Sequence, residues 1–192
     1  MTIAAVAKKL NTFVQQGVSW EQFKAIQAVF EQLPNVRVFY CEGELEFVPL
    51  SKDHEMICII LTLLLGIYFE EREIEFFPSG AYLQIVEGKT EFQADLSYCF
   101  ETDKPVSDLS IEVIFTSGST NKLKKYQIKG VPEVWFWEDG LFMFYRLRSD
   151  GYERINKSEW LPDLNFELLG KCMLIDSKIQ AMKAFRKGLQ SH

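Results

Sequence analysis

The sequence predicts an α/β (α+β) domain, a mixed central sheet flanked by helices. Three observations lead there. Helical and strand-like spacings alternate along the chain rather than segregating into halves. The stretch "ICIILTLLLGIYF", residues 57–69, is apolar all round, as in a helix buried against a sheet. Hairpin dipeptides stand at Glu42-Gly43 and Asp139-Gly140, with a further turn at Asp150-Gly151.

The elements follow in order. Residues 2–16 and 19–33 have helical spacing, with Ser19 as N-cap and Pro34 as the stop of the second helix. "VRVFYCEGELEFVPL" (36–50) reads as two strands joined by a tight turn. Ser51 or Asp53 caps the apolar helix, which runs to about Arg72. "IEFFPSGAYLQIV" gives one or two strands broken at Pro78-Ser79-Gly80. A turn at "EGKT" precedes the strand "FQADLSYCF". After the polar loop "ETDKPVSD" comes the strand "LSIEVIF". Residues 119–129 read as a helix ended by Gly130 at its C′ position. "PEVWFWEDGLFMFYRL" is a hairpin whose tryptophans suit sheet packing, and the tail from 166 is helical again. The expected organisation is a single domain over 1–192: N-terminal helices (1–33), a core (36–165) and C-terminal helices (166–192).

Composition narrows the function. A net charge of −6 and a pI near 5.1 argue against nucleic-acid binding through bulk charge, though not against a local basic groove. The thirteen-residue apolar stretch is shorter than the roughly 20 residues that span a bilayer. Lys8 and Lys9 interrupt any leader-like apolar run. The four cysteines form no CxxC pair and sit in apolar surroundings, the pattern of reduced structural thiols in a cytoplasmic protein. With two histidines far apart, a His-rich zinc site is not expected. There is no P-loop, GxGxxG or GxSxG motif. "TSGST" (116–120) offers backbone N–H groups to a phosphate, or is an ordinary strand-to-helix loop.

Two acids lie inside apolar strands, Asp95 in "FQADLSYCF" and Glu112 in "LSIEVIF". If those strands are neighbours, the carboxylates converge. Two close carboxylates repel unless a cation lies between them, and hard oxygen donors suit Mg²⁺ or Mn²⁺. A lysine nearby, Lys122, would orient water or meet negative charge on a phosphate. Periodicity alone leaves Glu112 evenly divided between this site and a solvent face shared with Ser110. The cluster Lys122, Lys124, Lys125 and Lys129 reads as a solvated helix face or a nucleic-acid contact.

The stretches "VRVFYCEGELEFVPLSKDHE", "ADLSYCF", "IEVIFTSGSTNKLKKYQIKGVPEVWFWEDG" and "SEWLPDLNFELL" resemble the "putative restriction endonuclease" family. That family is abundant in cyanobacteria, was long labelled a domain of unknown function, and belongs to the PD-(D/E)xK nuclease superfamily. The resemblance runs from about Ser19 to Leu169. It implies a restriction-endonuclease-like fold and a metal-dependent DNA endonuclease. The catalytic residues it implies are Asp95, Glu112 and Lys122, with Asp95 and Glu112 holding Mg²⁺ (or Mn²⁺). Glu46, His54 and Glu55 match supporting positions. Lys124, Lys125 and Lys129 are the nucleic-acid-binding candidates, DNA the expected partner, and a homodimer the expected state. Ile114 stands where the simple motif has its lysine, which moves that role to the following helix. Ala94 replaces the motif proline, and Gln93 stands where an acid is common. The alternative is a catalytically silent nuclease-like fold that binds nucleic acid or protein.

Overall fold

The computed structural model describes residues 12–32, 36–115 and 122–190. Strand β1 (Phe13–Gln15) precedes helix α1 (Trp20–Phe30). The helix expected over 2–16 is therefore corrected at its described end. Thr12, Phe13 and Val14 favour extended backbone, and Gly17, at φ +76°, prevents a helical continuation. Residues 2–11 and Pro34 lie outside the described residues, as do "TSGST" and His192. Ser19 caps α1 in a capping box: its hydroxyl accepts the Gln22 N–H, and the Gln22 side chain accepts the Ser19 N–H at 2.8 Å.

β2 (Val36–Cys41) and β3 (Glu44–Pro49) form the expected hairpin, with Glu42 and Gly43 both at positive φ (+44° and +88°). Ser51 caps α2 (Lys52–Glu71) by accepting the His54 N–H at 3.1 Å. The chain continues through β4 (Phe76–Pro78), β5 (Leu83–Val86), β6 (Thr90–Gln93), β7 (Leu96–Phe100) and β8 (Leu109–Ile114). Helix α3 (Lys122–Lys129) ends at Gly130, φ +81°. There follow β9 (Glu133–Glu138), β10 (Leu141–Arg148), β11 (Gly151–Ile155), α4 (Phe166–Met173) and α5 (Lys178–Leu189).

The α+β class stands, but its sheet is divided in two. One sheet has the order β1-β3-β2-β6-β5, and the other β11-β10-β9-β8-β7-β4. All pairings are antiparallel except β8 with β9, which are parallel and joined through α3. Parallel neighbours require such a crossover. The run read as one strand, "FQADLSYCF", is cut at Ala94-Asp95. β6 belongs to the first sheet and β7 to the second, so Asp95 sits where the chain passes between them.

Burial follows this plan. α2 lays Leu61, Leu64 and Leu65, each fully buried, on the second sheet, and α4 and α5 complete that core. Each such leucine contributes about 1.5–3 kcal/mol by leaving water. The opposite face of the sheet packs Ile114, Val134 and Phe136 against Tyr126 of α3 and Phe39 of β2. α1 closes a third core through Phe23, Val38, Tyr40 and Leu45. The two tryptophans of β9, Trp135 and Trp137, are buried in the sheet packing. All four cysteines are free thiols. Among the described residues, no helix is long and apolar enough to cross a membrane.

Candidate active site

The division of the sheet creates the site. At the seam the strand ladder stops, and the Asp95 side chain takes over a backbone partner: its Oδ2 accepts the Val113 N–H at 2.8 Å. β7 pairs with β8 from Leu96↔Ile111 onward, so Asp95 and Glu112 leave the ladder side by side at its end. Glu112 is only 7% exposed. Leu109, Ile111 and Val113 point into the α2 core, while Glu112 and Ile114 point the other way, towards α3. The solvent-facing alternative for Glu112 is excluded.

A carboxylate this deep needs partners. Lys125 Nζ lies 2.9 Å from Glu112 Oε1, and the Tyr126 hydroxyl donates to the same oxygen. Burial alone would raise the Glu112 pKa. The charges of Lys125 and Lys122 and the hydrogen bonds from Tyr126 and Lys125 outweigh burial and hold it below its ordinary value. Burial would likewise depress the Lys125 pKa, but Glu112, Glu46 and Asp95 hold it above its ordinary value. Burial and the neighbouring Glu112 charge keep the Tyr126 phenol protonated.

His54, in the first turn of α2, places Nε2 3.1 Å from Asp95 Oδ2 and Nδ1 3.5 Å from Glu55 Oε1. Burial opposes its charged form. The hydrogen bond and charge of Asp95, with Glu55 and Glu112, win and raise its pKa. Cys58, one turn further along α2, brings Sγ to 3.7 Å from His54 Nδ1.

Asp95, Glu112, His54 and Lys125 line one cavity of about 360 Å³. Its walls include Asp95, Glu112, Glu46, His54, Lys122 and Lys125, with Gln93 at the end of β6. Arg37 and Lys52 add positive charge to the wall. Glu55 stands behind His54 and lies 4.0 Å from Arg37.

The lysines sort differently from the sequence reading. Lys125, expected on a nucleic-acid face, is buried at 6% exposure and makes the ion pair with Glu112. Lys122, expected at that acid, lies on the cavity wall and acts on Glu112 as a neighbouring charge. Lys124 pairs with Glu42 at 2.5 Å, and Lys129 donates to the Ile85 carbonyl at 3.4 Å. The helical period carried the missing signal: Lys122, Lys125, Tyr126 and Lys129 recur at i, i+3, i+4 and i+7, one face of α3. Cys58 was read as a plain buried hydrophobe, although its i+4 relation to His54 puts the two side chains on one face.

Two sheets joined by a β-α-β crossover, with an acid at the seam and a second on the crossover strand, make this a mixed α+β domain with two carboxylates in one cavity. The chain belongs to the Uma2 family, whose model, described as "Putative restriction endonuclease", matches residues 20–169. Comparison with curated proteins finds no match. Among solved structures, the chain is similar to a "putative nuclease belonging to DUF820" from Anabaena variabilis. The identity is 15% and the TM-score 0.45, over 88% of this chain and 99% of that one.

Proposed function

We propose that the protein is a Mg²⁺- or Mn²⁺-dependent endonuclease that hydrolyses DNA phosphodiester bonds. The observation that carries this is the meeting of Asp95 and Glu112 in one cavity whose walls also hold Lys122 and Lys125. The donor set fits such an ion. Both groups are carboxylates, and among the described residues their hydrogen bonds and ion pairs use one oxygen of each, Asp95 Oδ2 and Glu112 Oε1. Hard oxygen donors with room for water are what Mg²⁺ and Mn²⁺ prefer. When bound, the ion supplies Lewis acidity towards a phosphoryl oxygen and favours ionisation of water.

The chain's own groups do the rest. Val113 N–H and His54 fix Asp95, while Lys125 and Tyr126 keep Glu112 ionised and hold its orientation. Lys122, beside the carboxylates, orients the attacking water and meets charge developing on the phosphate. Arg37 and Lys52 at the cavity wall steer the backbone phosphate, and Lys124 and Lys129 on α3 take flanking phosphates. A two-fold homodimer would present two such cavities to the two strands of a duplex.

Nicking of supercoiled plasmid in Mg²⁺ or Mn²⁺ tests the reading. Asp95→Asn and Glu112→Gln should each lower the rate on the order of 10²-fold or more while leaving the circular dichroism spectrum unchanged. Metal-independent nicking, or nicking indifferent to both substitutions, sinks it. One observation favours a second reading, a silent binding module: Lys125 already neutralises Glu112 from within the fold. Calorimetric Mg²⁺ titration separates the two, because a silent module shows no binding that depends on Asp95 and Glu112.

A further inference from the structure

We propose that His54, Cys58 and Asp95 form a binding site for one thiophilic divalent ion of the Zn²⁺ class, sharing Asp95 with the carboxylate pair. Such binding is independent of the nuclease reading; only its consequence for cleavage rests on that reading.

The placement follows from the fold. His54 and Cys58 are four residues apart in α2, so both side chains lie on one face of the helix. That face meets the seam between the sheets, where Asp95 sits. The three ligand atoms all lie within 4.8 Å of one another. His54 Nε2 is 3.1 Å from Asp95 Oδ2 and 3.9 Å from Cys58 Sγ. Zinc bonds of about 2.0–2.1 Å to nitrogen and oxygen and about 2.3 Å to sulfur, at tetrahedral angles, set the ligand atoms apart by roughly 3.3 Å (N···O) and roughly 3.6 Å (N···S). Those two spacings differ from the tetrahedron by a few tenths of an ångström, and the Asp95 oxygen and Cys58 sulfur lie within 4.8 Å of each other. Small side-chain rotations close the gap.

The surroundings suit the same ion. Glu55 Oε1 stands 3.5 Å from His54 Nδ1, where it can take that N–H and leave Nε2 free to ligate. A carboxylate behind a ligating histidine is the usual means of fixing its tautomer and raising its basicity. Asp95 is fixed in turn by the Val113 N–H. Cys58 is 7% exposed, so its sulfur is shielded from bulk solvent, while His54 and Asp95 line the cavity through which an ion enters. Three protein donors leave a fourth position towards that cavity, the open form of a zinc site. One nitrogen, one sulfur and one oxygen discriminate against Mg²⁺, which wants oxygens alone. A thiophilic ion held here engages Asp95 and takes it from the carboxylate pair, so it opposes Mg²⁺-dependent cleavage.

Co²⁺ is the probe, added to the full chain without DNA. The wild-type protein should show thiolate-to-Co²⁺ charge transfer in the near ultraviolet, bleached by equimolar Zn²⁺. Cys58→Ser should abolish the band, and His54→Gln should weaken Co²⁺ binding by about tenfold or more. Cys41→Ser, at a cysteine away from the cluster, should leave the band unchanged. If Cys58→Ser does not fold, His54→Gln at its partly exposed position carries the test. No charge-transfer band in the wild type, a band that survives Cys58→Ser, or Co²⁺ binding indifferent to His54→Gln overturns the site. The nuclease reading fails by a separate measurement, the plasmid assay in Mg²⁺ alone.

Discussion

Glu112 sits in a strand whose six residues are all buried, yet Lys125 and Tyr126 keep its carboxylate charged. Removing one partner of a buried pair leaves the other charge uncompensated, at a cost of about 3–5 kcal/mol. Lys125→Met should therefore lower unfolding stability by roughly that amount at pH 7, measured by urea titration. Buried acids elsewhere show why Glu112 stands apart. Glu133 is fully buried, but Trp135, Ser158 and Arg146 surround it. Glu91 is held by Lys24 and Gln27. Neither lines the cavity that Glu112 lines. His54 offers a second test. Its pKa is raised above 6.5 by Asp95, Glu55 and Glu112 against the opposing effect of burial. A histidine with a raised folded pKa contributes stability that is fully present below pH 6.5 and lost as pH rises through the folded value. Histidine proton shifts in the metal-free protein should show this raised titration, and Asp95→Asn should bring it down. An unchanged titration in Asp95→Asn contradicts the pairing. The sequence made Glu112 and Asp95 visible as charges among apolar residues. The helical period puts Lys122, Lys125 and Lys129 on one face of α3, but which of them reaches the acid is decided by packing, which selects Lys125.

At the scale of elements, the parts read correctly are those under local control. The caps at Ser19 and Ser51 and the turns at Glu42-Gly43 and Asp139-Gly140 are decided by a few residues each. The parts missed depend on distant partners. β1 exists by pairing Phe13 with Phe47, and the 92–100 run divides because its halves pair in different sheets. Close packing between elements gives a further prediction. A Cβ on Gly170 of α4 would stand 2.8 Å from the Gly140 carbonyl oxygen in the β9–β10 turn. Backbone cannot yield as a flexible side chain can. Gly170→Ala should lower stability by about 1–3 kcal/mol while metal binding at Asp95 and Glu112 is unaltered, since α4 contributes nothing to that cavity. Wild-type stability in this variant contradicts the close approach.

Across the whole molecule, an acidic chain of net charge −6 gathers Arg37, Lys52, Lys122 and Lys125 around a single cavity. Those four positive groups balance the four carboxylates of the same wall, Glu46, Asp53, Asp95 and Glu112, so the cavity is close to neutral on an acidic chain. The layers have distinct tasks. The α2, α4 and α5 side supplies most of the apolar core, while the seam between the sheets and α3 supply charged groups of the cavity. A crystal soaked in Mn²⁺ and measured for anomalous scattering tests that division most directly. The expected result is one peak within bonding distance of both Asp95 and Glu112, lost in Glu112→Gln. A map without a peak between those carboxylates, in a crystal where the cavity is open to solvent, would contradict the assignment of this site.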